Sequence, residues 1–200
     1  MLLQIPHHFF EKHFKFVLKT LKKLSLEQLN RLSTEEFRKS KKIPLVLVLD
    51  DIRSLHNIGA AFRTADAFRI SQIYLCGITA RPPHREIHKT ALGATESVSW
   101  KYFENIEDAL KKLRSDGYVI YAVEQTDKSV LLNNISCDQN KTALIVGNEV
   151  HGVSDKALEY CDLAIEIPQA GTKHSLNVSV CTGIVLWHFY INMNDLCNKI

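Results

Sequence analysis

Three short stretches place glycine, asparagine and a charged or hydroxylated side chain just where an apolar run gives way to a polar loop. They are NIGAAFRTADAF from Asn57 to Phe68, GNEVHGVS from Gly147 to Ser154, and IPQAGTKHSLNVSVCTGIVLW from Ile167 to Trp187. Small polar residues at the start of a helix gather free backbone N–H groups and capping side chains at one point, and such a point can hold a ligand. In the first stretch Asn57 stands where a helix N-cap is expected, and Gly59, Ala60 and Ala61 would keep the first turn thin enough for a bulky polyanion to approach. A helix N-terminus is itself an anion site, to which Arg63 adds a permanent charge and a fork suited to phosphate. The same arginine could instead pair with Asp66 or face solvent. In the second stretch Gly147 and Gly152 allow a tight turn around a ligand, Ser154 is expected to cap the following helix, and Glu149 could sit against a helix N-terminus. In the third, a polar loop with Pro168 and Gly171 leads to Ser175 and Asn177. An isolated Ser-x-Asn would do no more than cap the last helix.

Taken together and in this order, the three stretches resemble the motifs of the SpoU branch of the SPOUT superfamily of RNA methyltransferases, over roughly Pro44 to Trp187. Three ordered motifs are a far more specific signal than any one of them. The resemblance implies S-adenosylmethionine-dependent 2′-O-methylation of a ribose in structured RNA, tRNA or rRNA, with no DNA partner and no metal. Asn57 and Arg63 match the first motif, whose arginine is the catalytic residue at the target ribose in the family. Glu149 and its loop, with Gly147, Asn148 and Gly152, would shape the cofactor site and fix neighbouring groups. Ile167 and Leu176 would offer backbone groups to the cofactor, with Gln169 beside them, and Ser175 and Asn177 would be polar residues of the active site. Backbone-rich recognition of an adenosine accounts for the lack of a G-x-G-x-x-G. Two positions depart from the pattern: Asn148 stands where a small residue such as serine is common, and Gln169 where methionine or a similar residue is. Rival readings are a non-catalytic RNA-binding or assembly protein of the same fold, and a generic nucleotide-binding α/β enzyme.

The elements that would position these residues follow from periodicity. PLVLVLD, from Pro44 to Asp50, is a near-continuous apolar run of strand length, as in a strand buried on both faces. Further strands are expected at Ile73 to Cys76, Val98 to Tyr102, Tyr118 to Val123, Ala143 to Gly147 and Leu163 to Ile167. Helical patterns lie at Ile58 to Phe68, Ile106 to Ser115, Asp155 to Tyr160 and Leu176 to Ile191. The alternation predicts an α/β domain, a mainly parallel sheet flanked by helices and doubly wound by default, with ligands beyond the carboxyl ends of its strands. The resemblance adds a C-terminal deep trefoil knot, an exception to the rule that chains are unknotted.

The organisation expected is a basic helical N-terminal arm over residues 1–42 and a methyltransferase domain over 43–200. In the arm Phe14, Val17, Leu18, Leu21 and Leu24 recur at helical spacing, Ser33 and Glu36 form a capping-box pattern, and Lys12, Lys15, Lys19, Lys22, Lys23, Arg31, Arg38, Lys39, Lys41 and Lys42 precede the first strand. Such a basic end suits a polyanion, or is a solvated helix pair packed on the core. The 46% hydrophobic and 24% charged fractions over 200 residues are those of an ordinary globular protein. No run is long enough to span a bilayer, and charged residues break up the N-terminal stretch, so a cytoplasmic protein is expected. Five cysteines without a C-x-x-C argue against both a disulfide framework and a zinc site. His84 and His88, four apart, make a weak metal signal, and His151 and His174 sit inside two of the motif loops. The last helix carries Val178, Val180, Ile184, Val185, Trp187, Phe189 and Ile191 on more than one face. This surplus, with the family's habit of pairing, implies a homodimer.

Overall fold

The computed structural model describes residues 21–25, 27–137 and 141–193. The chain divides into two compact units, 1–33 and 34–200. Of the first, the described residues include a 3₁₀ turn at Glu27–Leu29. Three of the lysines expected to make up the basic arm, Lys12, Lys15 and Lys19, lie outside the described residues. The second unit begins with α1 (Thr34–Lys39), directly after Ser33. Phe37 of α1 is buried in the core, and the Arg38 Nε donates to the Glu96 carbonyl at 2.8 Å, so this helix belongs with the sheet.

Seven parallel strands form one sheet in the order β3-β2-β1-β6-β4-β7-β5: β1 (Ile43–Asp50), β2 (Ile70–Cys76), β3 (Trp100–Phe103), β4 (Val119–Val123), β5 (Val130–Leu131), β6 (Thr142–Val146) and β7 (Leu163–Glu166). The apolar run of β1 is central and buried on both faces, as its sequence predicts, with Val48 in register with Tyr74 on one side and Ile145 on the other. Side chains alternate along a strand, so Leu45, Leu47 and Leu49 enter one core and Val46 and Val48 the other. The first core is closed by α2 (Leu55–Ala67), α3 (Arg85–Ala91), α4 (Ala94–Ser97) and α7 (Val178–Asn192), the second by α5 (Ile106–Ser115) and α6 (Asp155–Leu158). Helices therefore flank both faces.

Periodicity missed β5, α3 and α4, all too short to repeat a pattern. Capping marks α3 instead: His84 is its N-cap, accepting the Glu86 N–H on Nδ1 at 3.2 Å, and Leu92 ends it in the left-handed conformation. His84 therefore precedes the helix rather than sharing a face with His88.

Gly59 has a different job from the one its position suggests. A Cβ there would lie 2.0 Å from Thr90 Oγ1 and 2.4 Å from the Ile87 carbonyl oxygen, so the glycine lets α2 and α3 touch. Ala61 is buried in the core. Gly59 and Ala61 serve packing, not the approach of a polyanion. Gly59→Ala should force the helices apart and cost about 1–3 kcal/mol, the usual range for overpacking. Thermal melting checks this, and a variant that melts with the native protein would contradict the close approach.

Candidate active site

The motif loops meet at the carboxyl end of the sheet, where open α/β sheets bind ligands. Past β1 the chain turns at Asp51, whose φ is +54°, and Ser54 caps α2 by accepting the Asn57 N–H at 3.3 Å. The N-cap is thus Ser54 and not Asn57. Three positions into the helix, the Asn57 side chain is free to reach across, and its Nδ2 donates to Glu149 Oε1 at 2.9 Å. The Arg53 and Ser54 N–H groups also donate to this carboxylate, each at 3.0 Å. Glu149 therefore does sit at a helix N-terminus, where the dipole favours its charge. Burial pushes its carboxyl up, but the hydrogen bonds from Arg53, Asn57, its own backbone and Ser54 outweigh this and hold it below the usual range.

The loop that carries Glu149 is pinned at several points. Gly147 and Gly152 oppose each other so closely that a Cβ on Gly147 would lie 2.0 Å from the Gly152 carbonyl carbon, and Asn148 and Gly152 exchange backbone hydrogen bonds of 2.9 Å. Asn148 is buried. Its Nδ2 donates to the Asp51 carbonyl at 2.7 Å, and its Oδ1 accepts the Val150 and His151 N–H groups. The asparagine that departs from the family pattern thus frames the loop from inside. Ser154 caps α6 as expected, accepting the Ala157 N–H, and donates its own N–H to Asp50 Oδ2 at 2.8 Å. Burial raises the Asp50 carboxyl above its ordinary value in spite of the Ser154 bonds.

Asn177 caps α7. Its Oδ1 accepts the Ser179 N–H at 2.9 Å, and its Nδ2 donates to Asn57 Oδ1 at 3.4 Å. Glu149, Asn57 and Asn177, one from each motif, form a continuous relay. Beside it opens a cavity of about 710 Å³ at the ends of β4, β6 and β7. Gly147, Asn148, Glu149, Gly152, Ile167, Gln169, Ser175, Leu176 and Asn177 all line it, as do His151 and His174. Sequence reasoning missed three acids of the same wall, Glu124, Asp155 and Glu166. An acid where an apolar strand stops, as in YAVE and LAIE, is the signal that could have found two of them. Among the described residues no lysine or arginine lines the cavity.

Arg63 lies outside this group. It is exposed on α2, it does not line the cavity, and among the described residues no hydrogen bond or ion pair engages its guanidinium. Nor is it bound to Asp66, whose carboxylate takes the Ser97 hydroxyl. Arg81 stacks over Tyr102 at 4.3 Å, and Arg53 and Arg85 are exposed. Among the described residues no group of His, Cys, Asp and Glu could hold a metal ion, and no helix is long and apolar enough to cross a membrane.

This arrangement has relatives. The profile of the SpoU rRNA Methylase family matches residues 44–187. An uncharacterized tRNA/rRNA methyltransferase of Borreliella burgdorferi is 32% identical over 182 residues, 87% of this chain and 79% of that protein. The 23S rRNA (guanosine-2'-O-)-methyltransferase RlmB of Pseudomonas aeruginosa is 32% identical over 76% of this chain. An AdoMet-bound rRNA methyltransferase from Sinorhizobium meliloti superposes with a TM-score of 0.70 at 29% identity, over 76% of this chain. The chain spans about three fifths of the length of these last two, 61% and 59%. With the match extending from the first strand into the last helix, the chain belongs to the SpoU rRNA methylase family.

Proposed function

We propose that this protein transfers a methyl group from S-adenosylmethionine to a ribose 2′-hydroxyl of structured RNA, tRNA or rRNA. The observation that carries the reading is the Glu149–Asn57–Asn177 relay, which draws the three motifs together at one cavity. A volume of about 710 Å³ suits a nucleoside-sized ligand. The wall fits this cofactor better than a nucleoside polyphosphate, because it carries Glu124, Glu149, Asp155 and Glu166 and, among the described residues, no basic side chain besides histidine. When bound, S-adenosylmethionine supplies a methyl group already activated on a sulfonium, so the protein's work is chiefly placement. Backbone groups at Ile167 and Leu176 would hold the adenosine, the Glu149 loop would close one side, and Ser175 and Asn177 would face the reacting end. Arg63 would hold the ribose and its neighbouring phosphate. Its guanidinium, a permanent cation, is better suited to placing a hydroxyl than to taking its proton.

Calorimetric titration tests the cofactor half of this reading. One S-adenosylmethionine per chain and no binding of ATP are expected; the reverse preference would overturn it.

The working unit we infer is a homodimer. Val180, Ile184 and Trp187 lie on successive turns of α7 and are 51%, 38% and 51% exposed, although Val185, Leu186 and Phe189 of the same helix are buried. Trp187 packs on Phe68 at 5.8 Å, just past the end of the helix that bears Arg63. A two-fold partner on this face would cover the apolar stripe and bring a second α2 to the boundary. That supplies a route for Arg63 to complete a site outside which it lies in a single chain. The deep knot belongs to the same reading, with the segment from about Gly147 to Trp187 as the threaded part. Sedimentation equilibrium is expected to show a dimer at micromolar concentration; a monomer with full activity would contradict it. Replacing several lysines of the arm should also weaken RNA binding and lower its log-log salt slope by roughly one for each phosphate ion pair removed. An unchanged slope would return the arm to a solvated role.

A further inference from the structure

Among the acids of the cavity wall, Glu124 belongs to none of the three motifs. Glu124 directly follows β4, and both of its carboxylate oxygens are tied to backbone: Oε1 accepts the Gln125 N–H and Oε2 the Val153 N–H, each at 2.9 Å. The neighbouring loop is shaped around it. Gly152 has a φ of +70°, and a Cβ there would lie 2.2 Å from Glu124 Oε2, so glycine is what leaves room for the carboxylate. Glu124 is thus a charge fixed in place. Of its fellow acids in the wall, Glu149 is engaged by the start of α2, and Glu166 accepts the Ser129 hydroxyl at 2.9 Å. Among the described residues no lysine or arginine lines the cavity, so only histidine can offset these charges there.

The methyl donor and its demethylated product share every hydrogen-bonding group. They differ by a methyl and by one positive charge, which the donor carries on sulfur and the product lacks. Backbone groups that read the adenosine are indifferent to that charge; a wall of carboxylates is not. We propose that the cavity distinguishes the sulfonium donor from its neutral thioether product by charge, with Glu124 as the specificity-determining residue. This rests on the cofactor reading above. At an effective dielectric constant near 20, a unit charge roughly 8 to 12 Å from a carboxylate changes affinity by a factor of roughly 10 to 30. The effect is a difference between two affinities, the measure of specificity, and tight binding of both ligands is compatible with it.

The test is calorimetric titration of the full chain with S-adenosylmethionine and with S-adenosylhomocysteine, for the native protein, Glu124→Gln and Glu124→Asp. The affinity ratio of donor to product should fall about tenfold in Glu124→Gln, chiefly through weaker donor binding, and stay near the native value in Glu124→Asp, which keeps the charge. If Glu124 only holds the loop through Val153, Glu124→Gln will weaken both ligands alike, and an unchanged ratio overturns the proposal. Should Glu124→Gln not fold, as read by circular dichroism, the native protein still decides. Its ratio should fall between roughly 0.02 M and 0.5 M salt as the attraction is screened, with product affinity steady, and a flat ratio overturns charge discrimination. A native protein that binds neither ligand would refute the cofactor reading itself, an outcome distinct from binding both without discrimination.

Discussion

Arg63→Ala should lower methyl transfer by at least about 10²-fold, the loss typical when a single positioned group is removed from a reacting centre. Cofactor affinity should stay within a few-fold of native. The split follows from where the side chain lies. It is exposed, unpaired among the described residues and absent from the cavity wall, so its removal leaves the cavity intact. A permanent charge without a partner among the described residues is open to an anion, and a ribose beside its phosphate offers one. Arg63→Lys keeps the charge but not the planar fork and should recover only part of the rate. Full turnover in Arg63→Ala, or lost cofactor binding with normal methylation at saturating cofactor, would contradict this.

Glu149→Ala should act on both steps. Removing the carboxylate leaves the Arg53 and Ser54 N–H groups and the Asn57 amide without their acceptor, and frees the loop that forms one side of the cavity. We expect cofactor affinity to fall several-fold and methyl transfer at least tenfold, with a similar pattern in Asn177→Ala. Because Asn57 bridges Glu149 and Asn177, Glu149→Ala and Asn57→Ala should not add: the double variant should recover about 1 kcal/mol relative to the sum of the single effects. Strict additivity, or native kinetics in both, would take the relay out of the active site.

What the sequence could reveal depended on how local the cause was. The apolar run of β1 announced a strand covered on both faces, and its neighbours confirm it: parallel partners on each side and a helical layer on each face. The cavity residues were legible through their motifs, and the nine expected to meet the cofactor do share one wall. The cap of α2 was not legible, because Ser54 and Asn57 both suit a helix start. What separates them is Glu149, which approaches from 92 residues away and draws the Asn57 amide outward. Gly59 misled for the same reason: space beside a glycine looks alike whether a ligand or Thr90 fills it. Glu124 lies outside the three motifs, and only its place at the end of an apolar strand, YAVE, marks it in the sequence.

The central claim, that the product is a ribose 2′-O-methyl group, is open to direct measurement. Total tRNA and rRNA lacking the modification, incubated with the protein and S-adenosylmethionine, can be hydrolysed in alkali and read at every phosphodiester, since a methylated 2′-oxygen protects the adjacent bond. The account predicts one or a few positions that gain protection with the native protein and none with Arg63→Ala. Methyl groups that enter RNA without protecting any bond, or no transfer to either RNA, would contradict it.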